Sequence, residues 1–207
     1  LFGNPDVTVI VVDATRLERN LNLVFQVLEI TDRVAVCLNL MDEARRHGLD
    51  VDERTLARQL GVPVVATSAR FGDGITALTQ AIHEVAIGET VCRPHRIETQ
   101  SPLVDQSVDQ LATEVLRLCP GLSNSRWVAL RLLDGDDRMI DAIRNGELCD
   151  SANNQTTCHE VLQLASELRW KVGGDFQTTL MQSIYGEAAK VSGKVVSRPG
   201  GERAFDL

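Results

Sequence analysis

Val7-Thr8-Val9-Ile10-Val11-Val12-Asp13-Ala14-Thr15-Arg16-Leu17-Glu18-Arg19-Asn20-Leu21 is the stretch from which the fold is read. Its first six residues are apolar or β-branched without alternation, which suits a parallel strand covered on both faces. Asp13 ends the run. Thr15 and Glu18 have the spacing of a capping box, with Thr15 as N-cap. Leu17, Leu21, Val24, Phe25 and Leu28 then recur at helical spacing.

The unit repeats downstream. Val34 to Leu38 is a second strand, and Asp52 is placed to cap a helix that carries Leu56 and Leu60 and stops at Gly61. Val62 to Thr67 is a third strand, with Pro63 tolerable near its start. Ile75, Leu78, Ile82 and Val85 line a third helix. Strands alternating with helices predict an α/β fold with a parallel sheet and right-handed crossovers. Beyond residue 98 the patterns are helical only. Leu103, Val104, Val108, Leu111, Val115 and Leu118 mark one helix, and Ser123 to Ser125 cap another that carries Trp127, Leu130 and Leu133. Asp134-Gly135-Asp136 breaks that helix and restarts a short one through Ile143, and a long pattern runs from Val161 to Ile184 with a kink at Gly173-Gly174. Trp127 and Trp170 read as core anchors. Gly88 to His95 reads as a linker, so the expected division is 1–88 for the α/β part and 89–207 for an all-α helical domain.

Composition excludes several classes. Lys plus Arg is 21 against 29 Asp plus Glu, a formal charge of -8, whereas binding the phosphates of nucleic acid needs clustered positive charge. Aromatic residues are 4% of the chain, too few for base-stacking platforms. The five cysteines are widely spaced without C-x-x-C, which argues for reduced thiols. No apolar run approaches the roughly 18 residues of a spanning helix. No Ser–His–Asp or Cys–His constellation stands out, and Cys92, His95, Cys158 and His159 lack partners at zinc-site spacing, so no catalytic and no metal-ligating residue is assigned.

The chemistry sits after the second strand, at Asn39-Leu40-Met41-Asp42. Loops at the carboxyl ends of parallel strands are where such sheets bind ligands. An Asp there can accept from both N1–H and the N2 amino group of guanine, a donor pair that adenine does not offer. Leaving that carboxylate unpaired against the wrong base is costly, which makes the contact selective. Asn39 can tie the loop to its neighbours. After the third strand, Ser68-Ala69-Arg70 supplies a turn whose backbone N–H can donate to guanine O6. The four residues Asn39–Asp42 also suit an Asx turn that closes a strand. The pairing of the two loops across adjacent strand ends, with Gly72-Asp73-Gly74-Ile75 opening the next helix, favours base recognition and resembles the base-binding half of a Ras-like GTPase.

More specifically, Asp13-Ala14-Thr15-Arg16-Leu17-Glu18-Arg19-Asn20-Leu21, Leu38-Asn39-Leu40-Met41-Asp42-Glu43-Ala44 and Leu60 through Arg70 resemble the prokaryotic ferrous iron transport protein B family. The resemblance is dense over 5–78. It returns at Arg126 through Asp136, which is similar to the family's helical domain, and at Arg203-Ala204-Phe205-Asp206, similar to the stretch before its membrane part. The resemblance implies a partial Ras-like parallel sheet followed by a helical domain. It implies GTP or GDP as ligand, with Asn39, Leu40, Met41 and Asp42 as the first base loop and Ser68, Ala69 and Arg70 as the second. It implies slow GTP hydrolysis in the parent protein, coupled to ferrous iron uptake through a membrane permease at the cytoplasmic face of the bacterial inner membrane. Leu40 stands where many GTPases have Lys, giving apolar cover without charge, so modest affinity is expected.

The chain departs from the family pattern. It has no G-x-x-x-x-G-K-[ST] to cradle phosphates. Gly3-Asn4-Pro5 is similar only to the start of that loop. The D-x-x-G element and the Thr that would hold Mg²⁺ have no counterpart, so no residue here is assigned to the metal. The expectation is therefore an upstream segment of the G domain beyond this sequence, or a homo-oligomer formed through the open strand edge. The alternative is a non-catalytic helical interaction module with a degenerate G-domain remnant.

Overall fold

The computed structural model describes residues 5–148 and 155–198. Gly3, Asn4 and the stretch Arg203 to Asp206 lie outside the described residues. The chain divides into two units. One spans 97–184; the other combines 5–96 with 185–198.

The second unit is built on a parallel sheet. Strands β1 (Thr8–Asp13), β2 (Val34–Asn39) and β4 (Val64–Ala66) pair in the order β1-β2-β4, with Asp13 beside Asn39 and Leu38 beside Ala66. The helix α1 (Leu17–Leu28) buries Leu17, Leu21, Val24, Phe25 and Leu28, the stripe that its spacing predicts. β2 is central and buried along Val34 to Leu38. β1 differs from expectation: Ile10 and Val12 are buried, but Val9 is 38% and Val11 60% exposed. One face of β1 is packed and the other is open, which the strand's own composition does not show. The capping box is also not formed. Thr15 gives its hydroxyl to Asp13 Oδ1 at 2.7 Å, and Asp13 caps a single 3-10 turn over Ala14–Arg16, so α1 starts without a side-chain cap.

Two short helices follow β2. α2 (Met41–Arg46) starts directly after the strand. α3 (Glu53–Leu60) is capped by Asp52, which accepts from Thr55 N at 2.9 Å, and it ends at Gly61. α4 (Ile75–Ile87) buries only Val85; Ile75 is exposed and Leu78 and Ile82 are half-buried, so its predicted apolar stripe is only partly used. A two-residue strand β3 (Asp50–Val51) pairs antiparallel with β5 (Val196–Ser197), and Asp52 N donates to Val195 O at 2.9 Å. Neither strand is legible from the sequence, since two residues carry no period. β5 also corrects the reading that the second half is wholly helical.

The other unit is helical. α5 (Pro102–Leu118), α6 (Ser125–Leu133), α7 (Asp137–Arg144) and α8 (Gln155–Val172) pack around Val108, Leu111, Val115, Val128, Leu132 and Ile143. α6 has Asn124 at its N-cap without a side-chain bond. Asp136 caps α7 by accepting from Met139 N at 2.9 Å. At Gly173 the chain breaks rather than kinks, and α9 (Phe176–Val195) begins a new helix. Trp127 packs against the core, whereas Trp170 is 88% exposed and anchors nothing. Cys37, Cys92 and Cys158 are free, but Cys119 is disulfide-bonded, against the expectation of reduced thiols throughout. Wide spacing in sequence says nothing about which thiols meet in space. Among the described residues no helix is long and apolar enough to cross a membrane.

Candidate functional site

The strand order places the ends of β2 and β4 side by side, so the loops that follow them meet. Leu38 O accepts from Thr67 N at 2.8 Å, and Thr67 O in turn accepts from Met41 N at 3.1 Å. Asn39 continues the stitch with its side chain. Its Oδ1 accepts from the Thr67 hydroxyl and from Ala69 N, both at 3.1 Å. The two predicted loops are thus tied by the Asn39 amide oxygen as well as by the Met41–Thr67 backbone bond.

Leu40 turns the chain with φ 63°, the one non-glycine residue with positive φ among the described residues. That conformation costs an L-residue about 1–2 kcal/mol, and such strain is most often kept at functional loops. It turns the chain directly into α2. Met41 is buried, so its part in the loop is made by its backbone. Asp42 follows one residue on. Both of its carboxylate oxygens are buried, and neither has a hydrogen-bond partner among the described residues. Arg70 Nε lies 3.3 Å from Oδ2 as an ion-pair contact without hydrogen-bond geometry, and Arg46 is 4.0 Å away. A buried carboxylate with unused acceptors costs about 1–3 kcal/mol or more. The carboxylate is therefore chemically suited to a ligand that presents paired N–H donors.

The second loop is a tight turn. Ser68 is buried and its N–H donates to Asp73 O at 3.1 Å, while Phe71 N donates to Ser68 O at 2.9 Å. Ala69 N is taken by Asn39. The Arg70 N–H is the one in this turn that none of these bonds uses. The Arg70 side chain is 54% exposed, lies over the Phe71 ring at 4.4 Å, and reaches Glu43 Oε1 at 3.5 Å. Thr67, Phe71 and Glu43 belong to this arrangement although the sequence reading did not select them. Thr67 can be found as the last residue of the strand that the sequence predicts over Val62 to Thr67, although β4 ends at Ala66; Phe71 and Glu43 carry no signal beyond adjacency.

A small parallel sheet with helices, together with a helical unit, is the fold shared with solved cytosolic domains of ferrous iron transporters. Residues 1–82 match the family described as ferrous iron transport protein B, and residues 101–197 match its cytosolic helical domain. The chain belongs to the ferrous iron transport protein B family. It is 36% identical over 136 residues to the Fe(2+) transporter FeoB of Escherichia coli K12, covering 66% of this chain and 17% of that protein. It is 34% identical over 139 residues to the Fe(2+) transport protein A/Fe(2+) transporter FeoB fusion protein of Porphyromonas gingivalis, covering 65% of this chain and 16% of that one. The chain thus spans about a sixth of these relatives. Among solved structures, the cytosolic domain of T. maritima FeoB in a GDP form superposes with TM-score 0.72 at 23% identity, covering 95% of this chain and 69% of that chain. The cytosolic domain of L. pneumophila FeoB superposes with TM-score 0.72 at 22% identity, covering 95% and 70%.

Proposed function

We propose that Asn39 to Asp42 and Ser68 to Arg70 form the guanine-recognition part of a nucleotide-binding site. The observation that carries this reading is the Asp42 carboxylate, whose two buried oxygens have no hydrogen-bond partner among the described residues. Guanine N1–H and N2–H supply the donors that this carboxylate lacks. The Arg70 N–H serves the base O6, Leu40 gives apolar cover, and Asn39 holds the two loops in register. The GDP and GMPPNP forms of the T. maritima cytosolic domain support the same ligand class.

In this reading 1–88 is the C-terminal portion of a G domain and 89–207 is a helical regulatory domain. The parent transporter couples guanine-nucleotide state to Fe(II) uptake through its membrane permease, at the cytoplasmic face of the inner membrane. Coupling of that kind requires that nucleotide bind two states of the protein with different affinity. Mg²⁺ accompanies the nucleotide in the parent; none of the residues described above fits it, and no hydrolytic step is assigned to this chain. Self-association through the β1 edge is the further partner implied by the open strand.

The test is displacement of a fluorescent GDP by GDP and by ADP, with Asp42→Asn as control. GDP should compete better than ADP by about tenfold or more, equivalent to about 1.4 kcal/mol, and the preference should vanish in Asp42→Asn. Equal competition by the two nucleotides, or a preference that survives the substitution, overturns the assignment.

A further inference from the structure

We propose that Arg70 is a latch on the base site: its guanidinium holds the Asp42 carboxylate in the free protein and must leave before guanine can bind. This rests on the guanine-recognition reading above.

The latch follows from how poorly Arg70 is placed at each of its contacts. Its Nε is 3.3 Å from Asp42 Oδ2, yet the carboxylate gains no hydrogen bond from it. Its Nη1 is 3.5 Å from Glu43 Oε1, an oxygen that Arg46 already holds at 2.6 Å. The rest of the guanidinium rests on the Phe71 ring, 4.4 Å away. More than half of the side chain is in solvent. An exposed arginine in suboptimal contact is held weakly and is screened by salt. It nevertheless places a positive charge against the carboxylate that the base would use. The two exclude each other because both carboxylate oxygens are already buried, so a base reaches them only when the side chain standing against Oδ2 moves aside.

Guanine wins the exchange because it brings two aligned N–H donors to oxygens that Arg70 leaves unbonded. Arg70 loses little on release, since Glu43 and Phe71 remain as partners. The apparent affinity is lowered by the fraction of molecules whose site is open. Arg70 therefore sets how readily the base is admitted and released, while Asp42 sets which base it is. That division separates two properties at one site: selectivity belongs to the carboxylate and occupancy to the arginine.

The discriminating ligand is guanosine, which is uncharged, so salt acts on the latch and not on the ligand. Binding is followed by amide shifts of the ¹⁵N-labelled chain, with adenosine as the comparison. Arg70→Gln and Arg70→Ala should bind guanosine about three- to tenfold more tightly than wild type. Raising ionic strength from about 0.05 to about 0.5 M should tighten wild-type binding clearly more than that of Arg70→Gln, in which only the longer contact of Arg46 with Asp42 is left to screen. Equal or weaker guanosine binding in both Arg70 variants, or a salt response as large in them as in wild type, overturns the latch while guanosine selectivity keeps the base site standing. Guanosine and adenosine binding alike, or neither binding at millimolar concentration in wild type and in Arg70→Gln, overturns the base site and the latch with it. The dispersed amide spectrum of each variant confirms its fold in the same experiment.

Discussion

Asn39 Oδ1 lies 3.1 Å from the backbone nitrogen of Ala69, thirty positions along the chain, and the bond closes the loop after β2 onto the loop after β4. The same oxygen takes the Thr67 hydroxyl. Asn39→Ala removes both partners and leaves the Ala69 N–H without its acceptor. The expected cost is about 1–3 kcal/mol, read by urea denaturation. GDP-over-ADP preference should fall as well, because the two loops lose their common tie. A variant as stable and as selective as wild type would show that Met41 N to Thr67 O suffices to hold the loops.

Gly74 and Gly72 make an internal comparison. Gly74 has φ 77°, and a Cβ there would run into the Ala66 carbonyl, which is backbone and cannot move aside. Gly72 has φ 80° with nothing within 4 Å of its would-be Cβ. Gly72→Ala should cost only the left-handed strain, about 1–2 kcal/mol. Gly74→Ala should cost clearly more and disturb the Ser68–Asp73 turn. Thermal melts of the two variants, side by side, check the order.

Leu40 holds φ 63° without a glycine's freedom. Leu40→Gly should therefore relieve the backbone and stabilise the fold by about 1 kcal/mol, while removing the apolar cover over the proposed base site. Stability rising as guanine affinity falls is the expected signature. Both falling together would mean that Leu40 contributes packing that outweighs its strain.

Asp136 caps α7, and its bond from Met139 N, with Arg131 beside it, holds its carboxyl below the usual carboxylate range. Because the folded value lies below the unfolded one, the contribution is fully present above the unfolded value and is lost as pH falls through the folded one. The helical unit should thus weaken below about pH 4, on the acid side of the ordinary Asp range. Asp136→Asn keeps an acceptor for the cap but should flatten this acid limb in pH-dependent denaturation. Asp136→Ala should cost about 1 kcal/mol even at neutral pH.

Trp127 and Trp170 look alike in the sequence and differ in the fold. Trp127→Ala should destabilise by about 2–5 kcal/mol, whereas Trp170→Ala, at a side chain 88% exposed, should change stability by less than about 0.5 kcal/mol. Chemical denaturation followed by far-UV dichroism separates them.

Much of this architecture was legible because it rests on local periods. The α1 stripe, the Asp52 cap, the α7 restart at Asp136 and the parallel alternation of strands and helices all follow from spacing or from one capping side chain. What was not legible depends on partners far away in sequence. Thr15 had the right neighbours for a capping box, but Asp13 captured its hydroxyl. The Val7 to Val12 pattern cannot say whether a strand lies inside a sheet or at its edge, and Val11 is open to solvent. In the site, Asn39 was read as a tie from its residue type alone. The contact of Arg70 with Asp42 was not foreseen, because nothing in the spacing tells an arginine which acidic group it will meet.

The pairing of β5 with β3 carries a consequence for biosynthesis. The helical unit is continuous over 97–184, but the sheet unit needs residues 185–198 as well. As the chain leaves the ribosome, Asp50, Val51 and the Asp52 N–H emerge early and wait for Val195 to Ser197. At about 5–20 residues per second, that wait is on the order of 7–30 seconds. The helical unit, although translated second, is the first whose residues are all available, and β3 stays without its partner strand until residues 196–197 have been made.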